Sequence, residues 1–155
     1  MIAQRQPAEP TPSSTPRAER VSEGRLYLPI YSHIYARDGA PDDLAITISV
    51  RNVSTERVFV LESVRYYDTS GKLLENFLEA EAEIKPLETV EFFIPTNDKR
   101  GGSGANVIVA WHADSPVLRP LVEAVMVRAV GANQAYAFST RAVEIPADAP
   151  MPGAQ

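Results

Sequence analysis

Two histidines, His33 and His112, are the residues of this 155-residue chain best suited to acid–base or metal chemistry. Neither lies in a spacing such as His-Glu-x-x-His, which would place two metal ligands on one face of a helix. Ser103 and Asp114 come close to His112 in sequence, but His112 and Asp114 would lie about 7 Å apart on a strand, and a Gly-x-Ser-x-Gly nucleophile turn is missing. We therefore expect no catalytic residue, no metal site and no cofactor, and we interpret the protein as not an enzyme. The enzyme alternative requires both histidines to lie close together beside acidic groups.

The segment LYLPIYSHIYARD is the most unusual part of the sequence, because its period-two spacing separates two kinds of side chain. The first face is aliphatic and contains Leu26, Leu28, Ile30 and Ile34. The second face supplies candidate binding residues, which are Tyr27, Tyr31, His33 and Tyr35. Aromatic rings stack on sugars or anchor a protein partner at a low cost in conformational entropy. Alternatively, these tyrosines are ordinary strand residues that cover the rim of a sheet.

A glycine-rich stretch, GGSG at residues 101–104, follows four polar residues at 97–100. A phosphate-binding Walker loop needs a Lys-Ser/Thr pair and a following helix, whereas this stretch continues into the strand-like ANVIVAW. A ligand-facing loop and a plain connection both fit the pattern. The candidate binding residues in this region are Lys99, Arg100, Ser103 and Asn106.

Three aspartates, Asp38, Asp42 and Asp43, are close together in RDGAPDD. Oxygen-rich turns with glycine can bind calcium, although the spacing differs from that of an EF-hand loop. In the second interpretation, Gly39 and Pro41 shape the turn, and the aspartates cap backbone amides and keep a sheet edge soluble.

The composition limits the partners. The formal charge is −5 and the sequence contains no cluster of Lys and Arg that would form a basic stripe, so we expect no nucleic acid partner. The absence of cysteine excludes disulfides and thiolate metal sites. No apolar run approaches the roughly 20 residues of a transmembrane helix, and the start MIAQRQPAEP lacks the apolar region of a signal peptide.

Proline and small polar residues divide the chain into three parts. Seven of the thirteen prolines lie in the first 16 or the last ten residues. These segments contain few large apolar residues and could not offset the entropy lost on ordering. We predict a disordered Pro/Ser/Thr-rich tether at 1–24, one domain at 25–145 and a disordered tail at 146–155.

Within the domain the hydrophobic period is two, which is typical of strands. Residues 44–50 alternate aliphatic and small polar side chains, and Val107, Val109 and Trp111 share one face. DTSGK is a hairpin connection in which Gly71 can take a positive φ, and residues 131–134 form another turn-sized break. Residues 116–125 could begin with a helical turn that Pro120 would interrupt. The pattern predicts an all-β protein, an antiparallel β-sandwich of immunoglobulin or fibronectin type with about eight strands.

Five segments together resemble a bacterial family known as domain of unknown function 3124. The segments are LYLPIYSHIY, ITISVRNVS, VRYYDTSGKLL, GGSGANVIVAWHAD and LVEAVMV. The similarity extends over roughly residues 26–145. It implies export, with a periplasmic or extracellular location, and it implies no activity, cofactor or catalytic residue.

The function that these observations favour is a non-catalytic binding or assembly module of an exported protein. Such a module would dock a protein partner or a component of the cell envelope through the aromatic segment and the glycine-rich loop. A carbohydrate-recognition domain is the alternative, with Trp111 or the tyrosines as stacking platforms. A further alternative is an accessory subunit of a larger complex, whose long tail orders on binding.

Overall fold

The computed structural model describes residues 18–131 and 134–153, which form two antiparallel sheets packed face to face and a separate two-stranded ribbon. No helix in these two ranges is long and apolar enough to span a membrane. The strands are β1 (Arg20–Pro29), β2 (His33–Ala36), β3 (Ala40–Asp43), β4 (Ala45–Arg51), β5 (Phe59–Tyr67), β6 (Leu73–Asn76), β7 (Ala82–Ile84), β8 (Thr89–Ile94), β9 (Asn106–Leu118), β10 (Leu121–Ala129), β11 (Ala135–Arg141) and β12 (Val143–Ile145).

The strand order confirms the predicted all-β sandwich. The first sheet has the order β12-β1-β9-β5-β6. Strand β7 lies on the same side of β5 as β6, but it pairs with the first residues of β5 whereas β6 pairs with the last ones. The second sheet has the order β11-β10-β4-β8, and β2 pairs with β3 in the ribbon. Every strand pair is antiparallel.

The core lies between the two sheets and contains the aliphatic faces that the period-two pattern predicts. The first sheet contributes buried side chains from four strands, among them Leu26, Leu28, Leu61, Ile84, Val107, Val109 and Trp111. The second sheet contributes Ile46, Ile48, Val50, Val122, Ala124, Met126 and Ile94. The two sheets therefore share one hydrophobic core, as two layers of a single domain do.

The described residues contain twelve strands, where about eight were expected. Five of them, β2, β3, β6, β7 and β12, are only three or four residues long, too short to give a clear alternation in the sequence. The opening segment is also not one strand, because β1 ends at Pro29 and β2 begins at His33. The Ser32 amide donates to the Gly102 carbonyl at 2.9 Å, which takes the chain out of the first sheet between them.

Strands and contacts of the described residues extend beyond the predicted domain limits of 25 and 145. Strand β1 begins at Arg20 rather than after residue 24, because Val21 pairs with Val117 in β9. Beyond residue 145, the Ala149 amide donates to the Pro146 carbonyl at 3.1 Å, and the Tyr67 hydroxyl of β5 donates to the Pro152 carbonyl at 2.9 Å. The part of the predicted tether at 1–17 lies outside the described residues, as do residues 132 and 133 of the predicted turn.

Two local predictions have opposite outcomes. The DTSGK hairpin is confirmed, because β5 and β6 are antiparallel neighbours and Gly71 has a φ of 85°. The helical turn expected within 116–125 is wrong. Strand β9 runs to Leu118 and β10 starts at Leu121, since both segments pair with neighbouring strands and Pro120 falls in the short link, where no ladder hydrogen bond is lost.

Candidate functional site

Three segments of the candidate site emerge from one end of the first sheet. Pro29, Asn106 and Tyr67 lie side by side in register at the ends of β1, β9 and β5. The aromatic segment 30–35, the glycine-rich loop 97–105 and the hairpin turn 68–72 therefore begin at the same edge. We call this edge of the sandwich the loop end.

Thr69 of the hairpin turn fastens the glycine-rich loop. Its hydroxyl donates to the Gly101 carbonyl at 2.8 Å and accepts from the Gly104 amide at 2.9 Å. The Thr69 amide also donates to the Gly101 carbonyl, at 2.9 Å. A loop held by three such bonds is pre-organised, so a ligand that binds it pays less ordering entropy.

The segment before β2 holds the same loop from the other side. The Ile30 amide donates to the Ala105 carbonyl at 3.0 Å, in addition to the bond between Ser32 and Gly102. The Ser32 and Tyr66 hydroxyls lie 3.2 Å apart in the buried layer beneath. Burial raises the pKa of Tyr66 above its ordinary value, because a phenolate would be poorly solvated there. The two hydroxyls therefore form a neutral, buried hydrogen-bonded pair.

Arg100 is the cationic side chain of the loop, and two carboxylates neutralise it. Its Nε and Nη2 atoms donate to Asp98 at 3.0 and 2.8 Å, and Nη2 also donates to Glu75 at 3.0 Å. These hydrogen bonds hold the pKa of Asp98 below its ordinary value and raise the pKa of Arg100. The guanidinium carbon lies 5.9 Å from the centroid of the Tyr66 ring. Arg100 is therefore positioned as a structural cation with little free charge for an anionic ligand.

A cleft of about 300 Å³ lies between the hairpin turn and the loop. The residues that line it are Asp68, Thr69, Ser70, Arg100, Gly101 and Gly102. Asp68 accepts from the amides of Ser70 and Lys72 and from the Ser70 hydroxyl, and the hydroxyl bond is the main cause of its lowered pKa. The lining offers hydroxyl, carbonyl and carboxylate groups that suit hydrogen bonding to a polar ligand or peptide.

The ribbon of β2 and β3 presents an aromatic side chain beside this loop. Tyr35 is 65% exposed, and its ring packs edge-on against the His33 ring at 5.3 Å. Lys99 of the loop forms a 2.7 Å ion pair with Asp43, which lies opposite His33 in the ribbon. The structure therefore brings His33, Tyr35 and Lys99 to one surface.

The predicted aromatic face is not continuous. Tyr27 points away from the core and lies between Ile108 and Val143 on the outer surface of the first sheet. Tyr31 is half-buried and packs edge-on against Phe138 of the second sheet, with ring centroids 5.8 Å apart. The prediction of one face is wrong because the chain leaves the first sheet after Pro29, which interrupts the alternation.

Of the predicted glycine-loop residues, Ser103 belongs to the loop itself and Asn106 does not. Ser103 is half-buried within the loop, as expected for a loop residue. Asn106 begins β9 and lies beside Tyr67 on the outer surface of the sheet, outside the cleft.

The acidic turn is satisfied by side chains of other elements. Asp42 accepts from Arg128 at 3.1 Å and from the Tyr136 hydroxyl at 2.8 Å, while Asp43 pairs with Lys99. Burial, followed by the bond to Asp42, raises the pKa of Tyr136. Among the described residues, no three His, Asp or Glu side chains are grouped so that they could hold a metal ion. Asp42 and Asp43 therefore act as partners in tertiary contacts.

The two histidines lie far apart. His112 pairs with Glu23 of β1, six residues along β9 from the loop end, which corresponds to roughly 20 Å at 3.3 Å per residue. Its Nδ1 lies 2.7 Å from a Glu62 carboxylate oxygen. The catalytic site that would combine His33 with His112 therefore does not form. Trp111 is also unavailable as a stacking platform, because it is 1% exposed.

Ser32, Tyr66 and Thr69 organise the loop, and none of them was a predicted site residue. Tyr66 lies in the YYD segment next to the predicted hairpin. This position beside a turn could have marked Tyr66 as a candidate site residue. The contacts of Ser32 and Thr69 join segments more than 30 residues apart. Local spacing does not encode such contacts.

Comparison with known proteins gives one match. The family model described as "Protein of unknown function (DUF3124)" matches residues 23–145, the range that contains the core and the loop end. Searches of curated proteins and of solved structures found no match. The relation to immunoglobulin-like or fibronectin-like modules therefore stays a prediction.

Proposed function

The chain belongs to the DUF3124 family of proteins of unknown function, and we propose that it is a non-catalytic binding or assembly module that uses the loop end to dock its partner. The partner is a protein or a component of the cell envelope, and the module works in an exported, periplasmic or extracellular protein. The resemblance described above motivates this location.

The observation that carries the proposal is the exposed Tyr35 ring on a ribbon fixed to the glycine-rich loop. Tyr35 combines a large apolar area with a hydroxyl, and residues of this type dominate the binding energy of many interfaces. The ion pair between Lys99 and Asp43 and the bonds of Thr69 hold the surrounding backbone in place. An exposed aromatic ring beside a loop held by hydrogen bonds suits docking, since it supplies apolar area for a partner.

Site-specific photocrosslinking tests this proposal. A photoreactive phenylalanine analogue at position 35 should capture one discrete partner in the native host. The same analogue at Leu87 is the matched control, because Leu87 is 67% exposed and lies in the turn beside Ser54, at the opposite end of the sandwich. Identical products from the two positions would contradict docking at the loop end. Cell fractionation of the same strain checks the proposed location.

Carbohydrate recognition is the second candidate, and the same exposed Tyr35 ring favours it. A sugar ring could stack on the Tyr35 ring, which is 65% exposed. A glycan array with the wild-type chain and Tyr35→Ala tests this candidate. A glycan bound by the wild-type chain and lost in the variant supports it, whereas an array without signal rules it out. An accessory-subunit role would instead appear as a partner that co-purifies with the chain without crosslinking.

A further inference from the structure

Strand β11 forms one edge of the second sheet, and within the described ranges no strand pairs with its other side. Proteins usually block such edges with a very short strand, a charged side chain, a proline or a bulge. Strand β11 has seven residues, AYAFSTR, and pairs with β10 without a register shift. Its only charged residue, Arg141, stands at its end. The edge therefore lacks these protections from Ala135 to Thr140.

The hydrogen bonds to β10 show which backbone groups of β11 face the open side. The Ala142 amide donates to the Val122 carbonyl at 3.0 Å and continues the register of the two strands. Because hydrogen-bonded and non-hydrogen-bonded pairs alternate in an antiparallel ladder, every second residue of β11 directs its amide and carbonyl away from β10. These residues, all of them exposed, are Ala135, Ala137, Ser139 and Arg141.

These outward groups are self-complementary. Two antiparallel copies of β11 related by a twofold axis at Phe138 place Ala137 of each copy opposite Ser139 of the other. Ala135 lies opposite Arg141 in the same way, so all the outward amides and carbonyls are paired. The two Phe138 residues form the non-hydrogen-bonded pair at the axis, where side chains lie closest and an aromatic pair is stabilising.

The charges favour the same arrangement. Each Arg141 would lie opposite an alanine, and the two arginines would be roughly 20 Å apart along the strands at about 3.3 Å per residue. A parallel pairing in register would instead place the two arginines side by side, and like charges directly opposite each other are destabilising. The position of the single charge therefore suits an antiparallel pair of identical strands.

Strand β8, the other edge of the second sheet, does not have this property. The Asn52 amide donates to the Glu88 carbonyl at 2.9 Å and continues the β4–β8 register. Thr89, Glu91 and Phe93 consequently direct their backbone groups to the open side. A twofold pairing of Thr89 with Phe93 would place Glu91 opposite its own copy, which is unfavourable. Self-pairing is thus opposed at β8 and not at β11.

We propose that the open edge of β11 binds a second copy of this chain and joins the two four-stranded sheets into one continuous antiparallel sheet. The edge of a sheet can also bind a strand of another protein. The self-complementary register and the terminal position of Arg141 favour a second copy, because a foreign strand requires neither. The interaction uses β11 rather than the loop end and does not depend on the function proposed above.

Sedimentation velocity of the full-length chain at low salt tests this proposal over about a hundredfold range of concentration. We expect a dimer whose fraction rises with concentration. Ala137→Lys with Ser139→Lys places lysine opposite lysine on both sides of the axis and should raise the dissociation constant at least about tenfold. Ala137→Lys with Ser139→Glu places lysine opposite glutamate and should keep the dimer. Both positions are exposed, so neither pair of changes alters the core.

Thr89→Lys with Phe93→Lys is the matched control, because it adds the same two charges to β8 and should leave the dimer unchanged. A wild-type chain that stays monomeric at every concentration would overturn the proposal and leave a strand of another protein as the occupant of the edge. A double-lysine variant of β11 that dimerises like the wild type would place the contact elsewhere. The proposed register is wrong if the lysine–glutamate variant is as monomeric as the double-lysine variant while its thermal unfolding matches that of the wild type.

Discussion

At the scale of single residues, Gly101 is the position of the loop that tolerates least change. A Cβ atom there would overlap the Tyr66 hydroxyl and lie 2.8 Å from both the Ser32 hydroxyl and the Ala105 side chain. Gly101→Ala should therefore lower the free energy of unfolding by about 1–3 kcal/mol, the usual cost of overpacking a filled site. Urea denaturation measures this loss.

Gly104→Ala is the matched control, since its Cβ would meet Thr69 atoms at 3.1 to 3.6 Å, where a small shift suffices. Combining Gly101→Ala with Tyr66→Phe should recover part of the loss, because the hydroxyl that collides is removed. Equal losses for Gly101→Ala and Gly104→Ala would contradict this view of the loop.

Asp98 should make the stability of the loop sensitive to acid. Its pKa in the folded protein is lowered, first by the side-chain hydrogen bond from Arg100. The resulting stabilisation is fully present above the unfolded pKa of about 3.9 and is lost as the pH falls through the folded pKa. We therefore expect Asp98→Asn to be less stable than the wild type at pH 7 and the difference to shrink at pH 3.

Urea unfolding at both pH values measures this difference. Arg100→Ala should reduce the acid dependence in the same pH window, because it removes the partner that lowers the pKa of Asp98. If both variants kept the pH dependence of the wild type, the Asp98–Arg100 pair would contribute nothing to the pH-dependent part of the free energy of unfolding.

At the scale of strands, β9 and the β2–β3 ribbon differ in the number of neighbouring strands that pair with them. Strand β9 pairs with β1 on one side and β5 on the other, and its inward side chains are buried. The ribbon strands pair only with each other in the described sheets, and two-stranded ribbons are marginal alone. Hydrogen exchange should therefore be slowest at 107–111 and much faster at 33–36. Equal protection would mean that Lys99 and the loop stabilise the ribbon as strongly as a third strand would.

The sequence predicts strands whose hydrophobic pattern is local and misses features that depend on distant partners. The alternation at 44–50 and 107–111 correctly identifies two faces of the core. The break after Pro29 depends on a bond to Gly102, about 70 residues away in the chain, so the spacing of the tyrosines could not reveal it. For the same reason the sequence suggested a free tail at 146–155, although Tyr67 holds Pro152.

At the scale of the whole molecule, the chain crosses repeatedly between the two sheets. Strand β9 of the first sheet continues through residues 119–120 into β10 of the second, and β11 continues through Ala142 into β12 of the first. The Ala142 amide donates to the Val122 carbonyl at 3.0 Å at the second crossing. Neither sheet consists of one continuous part of the chain. Separation of the sheets would therefore expose the shared core without leaving a self-contained half.

This connectivity predicts a single cooperative unfolding transition. Leu28 lies in the first sheet and Ile48 in the second, and both are fully buried in the shared core. Leu28→Ala and Ile48→Ala should each lower the free energy of unfolding by about 2–5 kcal/mol. The unfolding transitions followed by fluorescence of Trp111, the single tryptophan, and by far-ultraviolet circular dichroism should shift together in both variants.

Val143→Ala, at a 58% exposed position, is the control and should change the free energy of unfolding by no more than about 0.5 kcal/mol. If Ile48→Ala shifted the circular dichroism transition and left the Trp111 transition unchanged, the sheets would unfold separately and the shared core would not couple them.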